Sequence, residues 1–310
     1  ITYSQLKCIA EKIAHGLYSI GIRQKDRIGI IFPNSIIWYS CFWGIIRLGA
    51  IPVPFSPQLG EYEMMELFNT TGIRACFTCI EFRGNELLKK IKNHVDNFID
   101  LKMVIVNGPC KKTRNIISFI NFINDYNKTI DDYKVVLLPD DPLMMVCTSG
   151  TTGKPKIIVV EHEGFLKSAQ DMSDYLGFTE NEIMLLGMPL YHQGGFGMGL
   201  QSLIKGGKVI FQEKFTPEAF LKLIEEERVT VIQLSATLAK ILLSVPHFQS
   251  YNLSTLKMCY FAGELLPDDL AAIFYNKLGK RVINLIGSSE TASMQVWDSL
   301  YDQGLPVNDF

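Results

Sequence analysis

The sequence has no excess of charge of either sign and no long apolar run, and each absence excludes a class of protein. Lys and Arg number 30 against 32 Asp and Glu, which indicates neither a basic nucleic-acid-binding surface nor an acidic tail. The longest apolar stretch of the first third, residues 36–46, is too short to span a bilayer and ends at Arg47. The first residues carry no signal-peptide pattern, so we expect a cytoplasmic protein without a membrane span.

Cysteine pairs are also lacking, because the seven cysteines are odd in number and widely scattered. Cys76 and Cys79 have C-x-x-C spacing, but no second pair of Cys or His residues follows to complete a zinc site. Their neighbours, including Ala75 and Phe77, predict a strand rather than the helix start at which a thioredoxin-like redox pair lies. We therefore expect both cysteines to pack as small apolar side chains.

The composition is that of a globular protein with a sizeable core. Hydrophobic residues make up 47% of the chain and charged residues 20%, enough to form a core and to solvate a surface. A length of 310 residues predicts two domains or one large composite domain, at about 150 residues per domain. The chain begins at Ile1 without a Met and stops at Phe310 after a polar run, so we expect it to be a piece of a longer chain.

Short continuous apolar runs alternate with amphipathic stretches, which is typical of parallel strands covered on both faces by helices. Strands are predicted at residues 27–32, 75–80, 103–106, 144–147, 209–211, 229–234, 258–261 and 282–285. Helices are predicted after an N-cap at Ser4, at residues 35–48, 86–95 and 218–227, and inside an irregular polar segment, 111–134. The fold class predicted is α/β, with two doubly wound, mainly parallel sheets and helices on both faces.

The densest polar motif is the nine-residue run Thr-Ser-Gly-Thr-Thr-Gly-Lys-Pro-Lys at 148–156, which follows an apolar strand. Glycines allow several backbone N–H groups to converge on an anion, while four hydroxyls and Lys154 add donors and a positive charge. The run therefore predicts a polyphosphate site. It is not a Walker A loop, because only two residues separate Gly150 from Gly153 and Pro155 follows the lysine. A plain surface loop is the alternative, which nine such residues in this order disfavour.

This run resembles the phosphate loop of the adenylate-forming superfamily, which comprises acyl-CoA synthetases, aryl-acid ligases, luciferases and peptide-synthetase adenylation domains. Four further segments resemble family motifs in the family's order: Leu-Gly-Ala-Ile-Pro-Val-Pro at 48–54, Pro-Leu-Tyr-His at 189–192, Ala-Gly-Glu at 262–264 and Asn-Leu-Ile-Gly-Ser-Ser-Glu-Thr at 284–291. The resemblance covers essentially the whole chain. It implies an incomplete large N-terminal AMP-binding domain, with a first subdomain at approximately 1–180 and a second at 181–310, partly interleaved.

The resemblance also implies a site for ATP and Mg²⁺. The implied ATP/AMP-binding residues are Thr148, Ser149, Gly150, Thr151, Thr152, Gly153, Lys154, Ala262, Gly263, Glu264, Leu285, Ile286, Gly287, Ser288 and Ser289. Glu290 and Thr151 are the implied Mg²⁺ residues, and His192, Lys154 and Glu290 the implied catalytic residues. Helix capping is the alternative role for Glu290, and a partly buried structural position is the alternative for His192.

Two substitutions and one absence separate the chain from the family pattern. Ile157 replaces a Gly after the phosphate loop, and Ile286 replaces a Tyr that stacks near adenine. The family's ribose-binding Asp and its small C-terminal domain with a catalytic Lys would lie beyond Phe310, so we expect the 310-residue chain alone to turn over slowly or not at all.

The acid that the resemblance implies has no α-amino group, because residues 191–195 lack the carboxylate that would pair with a substrate ammonium. Its acyl pocket would draw on Gln193, Phe196, Gln233, Tyr260, Ala262 and Leu285. The implied reaction converts the acid and ATP into acyl-AMP and pyrophosphate, and the acyl group then passes to the thiol of CoA or of a carrier-protein phosphopantetheine. The alternatives are a catalytically idle nucleotide- or acyl-binding module, an amino-acid-activating adenylation domain, and a phosphotransferase that releases ADP.

Overall fold

A computed structural model describes residues 1–125, 135–148, 156–287 and 294–298. The chain divides into two compact units, Ile1–Gly164 and Phe165–Phe310. Each unit is built on a mainly parallel sheet.

The first unit carries a five-stranded parallel sheet of order β2-β1-β3-β4-β5 and a separate antiparallel pair, β6 and β7. Its elements are α1 (Tyr3–Ser19), β1 (Arg27–Ile31), α2 (Ile36–Arg47), β2 (Ile51–Pro54), α3 (Glu61–Thr71), β3 (Ala75–Cys79), α4 (Leu87–Asn93), β4 (Met103–Asn107), β5 (Ile116–Ser118), α5 (Phe119–Asp125), β6 (Pro142–Thr148) and β7 (Lys156–Glu161). A short 3₁₀ turn, Val95–Asn97, follows α4.

The second unit carries a six-stranded sheet of order β13-β12-β11-β10-β8-β9, in which only the pairing of β12 with β13 is antiparallel among the described strands. Its elements are α6 (His162–Leu176), in which the boundary between the units falls, β8 (Ile183–Leu186), α7 (Gln193–Ile204), β9 (Lys208–Phe211), α8 (Pro217–Glu226), β10 (Val231–Leu234), α9 (Ala236–Leu243), β11 (Met258–Ala262), α10 (Asp268–Ala272), β12 (Arg281–Gly287) and β13 (Met294–Asp298). A 3₁₀ turn, Phe248–Ser250, follows α9, and a π-helical turn, Ile273–Lys277, extends α10.

Neighbouring residues of β3 show that helices cover both faces of the first sheet. Cys76 is fully buried in the cluster formed with α3 and α4, whereas the ring of Phe77 lies 5.7 Å from that of Phe122 in α5. Successive side chains of a strand point to opposite faces, so the two contacts lie on opposite sides of the sheet. Burial raises the pKa of the Cys76 thiol, and Cys79 packs at the edge of the same cluster. Both cysteines are therefore packed apolar residues, as expected.

The second sheet is likewise covered on both faces. Leu234 and Phe261 lie in an apolar core with α8, α9 and α10. The opposite face of β11 carries Tyr260, next to Gln201 of α7. The predicted fold class, two mainly parallel sheets with helices on both faces, is confirmed.

Three local predictions need correction. Helix α1 is capped by Thr2 rather than by Ser4, because the Thr2 hydroxyl accepts the Gln5 N–H while the Gln5 side chain accepts the Thr2 N–H. The strand predicted at 144–147 is part of β6, which pairs with β7 outside the parallel sheet. Segment 111–134 contains the expected helix, α5, but also the edge strand β5, whose three residues are too few for a periodic signal. Residues 126–134 lie outside the described part.

Within the described residues, no helix is both long and apolar enough to cross a membrane.

Candidate active site

The carboxyl edge of the second sheet gathers most of the predicted residues that the structure describes. Strands β8, β10, β11 and β12 are parallel, so their carboxyl ends lie along one edge, where open α/β sheets bind ligands. Gly187 directly follows β8, Ser235 follows β10 and Gly263 follows β11. Gly287 is the last residue of β12.

Four predicted acyl-pocket residues share one face of this sheet. Gln233 of β10 is the register partner of Tyr260 in β11. Ala262, two residues further along β11, is the register partner of Leu285 in β12. Residues in register, or two apart on one strand, point to the same face. The structure therefore brings these four side chains together, although they are separated by up to 52 positions in the chain.

Gln233 ties the end of β8 to β10. Its side-chain Oε1 accepts the Met188 N–H at 2.9 Å, and its backbone carbonyl accepts the Gly187 N–H at 2.7 Å. A Cβ at Gly187 would lie only 2.7 Å from that carbonyl oxygen, so glycine permits the close approach. The side chain of Gln233 is fully buried and its Nε2 has no hydrogen-bond partner.

Tyr260 is also fully buried, and burial raises the pKa of its phenol. The side chain of Gln201 lies close enough to oppose this increase slightly. The two groups do not meet in hydrogen-bond geometry, because neither the Tyr260 hydroxyl nor Gln201 Oε1 has a partner. The tyrosine is therefore a neutral phenol that lacks a hydrogen bond.

The two predicted residues on α7 lie in different surroundings. Phe196 is buried and stacks on Phe165 of α6, with 5.8 Å between the ring centroids and 9° between the planes. Gln193 begins α7 and is half-buried, with its Oε1 buried and unpaired. Gln193 thus belongs with the polar residues of the site, whereas Phe196 contributes to packing between α6 and α7.

Met188 covers the glycines at the edge of the sheet. Its Cε lies 3.4 Å from the position that a Cβ on Gly263 would take, and 3.8 Å from the equivalent position on Gly194. Gly263 has φ of +90°, in the left-handed region that favours glycine. Sequence reasoning missed both Met188 and Gln201. The available signals were that Met188 adjoins the Pro-Leu-Tyr-His motif and that Gln201 interrupts an apolar helix.

His192 precedes the first residue of α7 and is solvent-exposed. Its ring lies 4.5 Å from the ring of Tyr191, and partial loss of hydration lowers the pKa of the imidazole. A histidine with a lowered pKa is neutral at pH 7. The backbone here is tightly folded, because a Cβ on Gly195 would lie 2.2 Å from the Pro189 carbonyl oxygen.

Glu264 caps helix α9. Its carboxylate accepts the Thr237 N–H at 2.7 Å and the Thr237 hydroxyl at 3.1 Å. The backbone hydrogen bond is the main reason why the pKa of this carboxyl is lowered. The side chain is exposed at the sheet edge, next to Gly263.

Several predicted site residues fall outside the described part of the chain: Ser149, Gly150, Thr151, Thr152, Gly153, Lys154, Ser288, Ser289 and Glu290. Thr148 ends β6, in register with Lys156 at the start of β7, and Ile286 pairs with Gln295 of β13. Within the described ranges, no cluster of three His, Cys, Asp or Glu side chains could hold a metal ion. The predicted Mg²⁺ residues, Glu290 and Thr151, stay a prediction.

The chain is similar to curated acyl-CoA ligases. It is 27% identical over 288 residues to the acyl-CoA ligase SID4 of Ajellomyces capsulatus, an alignment that covers 89% of this chain and 49% of the relative. It is also 27% identical over 287 residues to 4-coumarate–CoA ligase 3 of Arabidopsis thaliana, with 91% and 49% covered. The chain thus spans about half the length of the curated relatives that it matches.

Solved structures agree with this similarity at the level of the fold. The anthranilate CoA ligase AuaEII, solved in complex with anthranoyl-AMP, superposes with a TM-score of 0.85 at 24% identity, over 95% of this chain and 55% of that chain. The model of the family described as AMP-binding enzyme matches residues 1–308, nearly the whole sequence. The five motifs, the sheet edge that gathers the described residues of three of them (189–192, 262–264 and 284–287) and this match lead to one conclusion: the chain belongs to the AMP-binding enzyme family.

Proposed function

We propose that the chain activates a carboxylic acid with ATP, forming acyl-AMP and releasing pyrophosphate, before the acyl group passes to a thiol. The observation that carries this proposal is the gathering of Gln233, Tyr260, Ala262 and Leu285 on one face at the carboxyl edge of the second sheet. The family match over residues 1–308 and the ligase relatives support the same chemistry.

The residues of this chain would bind and orient rather than supply a base. A carboxylate is already a nucleophile at pH 7, so the site has to hold it in line with the α-phosphate and stabilise the charge that develops there. His192 suits such a site, because its lowered pKa leaves a neutral imidazole that can donate one hydrogen bond. In this proposal residues 148–154 cradle the β- and γ-phosphates, and Lys154 supplies the positive charge.

A magnesium ion would reduce the charge of the triphosphate when bound. Oxygen ligands suit this hard cation, and Glu290 with Thr151 would supply a carboxylate and a hydroxyl. Ser288 and Ser289 would donate hydrogen bonds to phosphate, and residues 262–264 and 285–287 would line the nucleotide.

The acceptor thiol and the compartment belong to the same proposal. Relatives named as CoA ligases favour CoA over a carrier-protein phosphopantetheine as acceptor. A cytoplasmic location fits a reaction that consumes ATP and CoA, because both are intracellular metabolites.

Acid-dependent exchange of labelled pyrophosphate into ATP, measured on the complete protein across a panel of acids, tests the proposal, with the nucleotide product identified by chromatography. We expect exchange with at least one acid that lacks an α-amino group, and AMP as the nucleotide product. Nucleotide binding without exchange would indicate the idle module. Exchange restricted to α-amino acids would indicate an amino-acid-activating domain, and release of ADP would indicate a phosphotransferase. Each of these three results would contradict the proposal.

A further inference from the structure

Three neutral polar side chains between the second sheet and α7 hold atoms without hydrogen-bond partners. These atoms are Gln233 Nε2, the Tyr260 hydroxyl and Gln201 Oε1. Gln233 and Tyr260 are fully buried and Gln201 is 2% exposed. Buried polar side-chain atoms in folded proteins nearly always have a partner, so three unpaired atoms in one place indicate that a partner is missing.

The three atoms form a complementary set. An amide nitrogen donates, an amide oxygen accepts, and a phenol does either. A hydroxyl group can accept one hydrogen bond and donate another, so it can pair with Gln233 Nε2 and with Tyr260 or Gln201. A charged group would be disfavoured, because none of the three side chains carries an opposite charge to offset its desolvation.

In the proposed reaction these atoms do not contact the reacting carboxylate. The reacting carboxylate belongs at the carboxyl edge of the sheet, near Ala262 and Gly263. Tyr260 lies two residues before Ala262, which places it about 6–7 Å deeper along the strand at roughly 3.3 Å per residue. The polar set therefore lies where the body of an acid would extend from its carboxylate.

We propose that the acid activated here carries a neutral hydroxyl about 6–7 Å from its carboxylate, and that Tyr260 and Gln233 bind this hydroxyl. The inference rests on the proposed function, because it assumes that an acid occupies this face. A hydroxy-aryl acid or a terminally hydroxylated short-chain acid has the required length and chemistry, whereas an unsubstituted fatty acid leaves the three atoms unpaired.

The side chain of Met188 controls access of such an acid to these polar atoms, which have no exposed surface. Its backbone N–H is held by Gln233, while its side chain covers Gly263 and Gly194 at the sheet edge. Methionine is unbranched and adapts its shape readily. In this proposal, rotation of the Met188 side chain lets the acid pass from the sheet edge towards Gln233 and Tyr260.

Matched pairs of acids test the inference by isothermal titration calorimetry on the 310-residue chain. The pairs are 4-hydroxybenzoate with benzoate and 6-hydroxyhexanoate with hexanoate, so that each pair differs by one hydroxyl. We expect the hydroxylated member of at least one pair to bind about tenfold or more tightly, because sites built around a substrate hydroxyl reject the analogue that lacks it.

Two conservative variants assign the preference to the residues named. Tyr260→Phe removes only the hydroxyl and should bring the ratio of dissociation constants within the pair to below about threefold. Gln233→Met removes the Nε2 donor together with the Oε1 acceptor of the Met188 N–H, and it should reduce the ratio in the same direction. Tyr39→Phe is the control, because Tyr39 is a buried tyrosine of the first unit and its loss of a hydroxyl should leave the ratio unchanged.

Equal affinities within both pairs would overturn the inference, as would a Tyr260→Phe variant that keeps the full preference or a failure of all four acids to bind at millimolar concentration. A crystal structure with ordered waters on the three atoms and the hydroxyl elsewhere would also overturn it. The proposed function fails separately, when no acid supports pyrophosphate exchange. Exchange without any preference for hydroxylated acids would leave that function standing and refute the hydroxyl site alone.

Discussion

Gly195→Ala is the substitution whose outcome follows most directly from the geometry of the site. The added methyl group would lie 2.2 Å from the Pro189 carbonyl oxygen and 2.9 Å from its carbonyl carbon. Both are backbone atoms, which cannot rotate away as a side chain would. The same turn carries His192 and leads into α7, so relief of the overlap has to displace the start of that helix.

Two effects of opposite sign determine the size of the change. Alanine in place of glycine inside a helix gains about 0.5–1 kcal/mol. Overpacking of a closely packed site costs about 1–3 kcal/mol, and an overlap with backbone belongs at the upper end of that range. We therefore expect Gly195→Ala to lower the free energy of unfolding by about 1–2 kcal/mol.

Gly194→Ala is the matched control, because among the described residues beyond its own helix turn the nearest atom to the added methyl group is Met188 Cε at 3.8 Å, an ordinary contact. Urea denaturation followed by far-ultraviolet circular dichroism measures both variants, with the slope m checked for constancy. We expect Gly194→Ala to be neutral or slightly stabilising. Equal stability of the two variants, or a Gly195→Ala protein as stable as the parent chain, would refute the argument.

Three further substitutions test the site and its support. Glu290→Gln should reduce Mg²⁺-dependent pyrophosphate exchange far more than it lowers the melting temperature, since a hard cation needs the charge; equal losses would favour a capping role. Glu264→Gln should cost about 0.5–1 kcal/mol through the cap on Thr237. The pKa of Glu264 is lowered by folding, so this contribution is present at neutral pH and disappears as pH falls below the unfolded value of about 4.3; urea midpoints of parent and variant should converge there. Asp298→Asn breaks a buried ion pair with Arg281 and should cost about 3–5 kcal/mol by denaturant titration, whereas a loss under 1 kcal/mol would show that the pair is solvated.

The sequence by itself determined the fold class and the family, and it located eight of the strands that the structure describes. Continuous apolar runs are typical of strands that a covered parallel sheet buries on both faces, so the strands at Arg27–Ile31 and Met258–Ala262 were predictable from local composition. The phosphate-loop motif was equally recognisable from the sequence, because the glycines and hydroxyl side chains clustered at residues 148–153 contribute little to packing. The ends of the elements were predicted less accurately: the sequence analysis placed the N-cap of α1 at Ser4, whereas Thr2 and Gln5 form the capping box.

Only the tertiary structure decided which polar atoms have partners. Gln233 and Tyr260 are 27 positions apart, and their pairing follows from the register of β10 with β11, which no local pattern encodes. Local composition does not identify Gln201 as their neighbour either, because that contact depends on how α7 packs on the sheet. Glu264 belongs to a motif that resembles a nucleotide-binding motif of the family. Its carboxylate nevertheless caps α9 by accepting hydrogen bonds from Thr237, a residue 27 positions earlier. Hydrogen bonds between distant segments depend on how the whole chain packs, and for that reason the local sequence does not predict them.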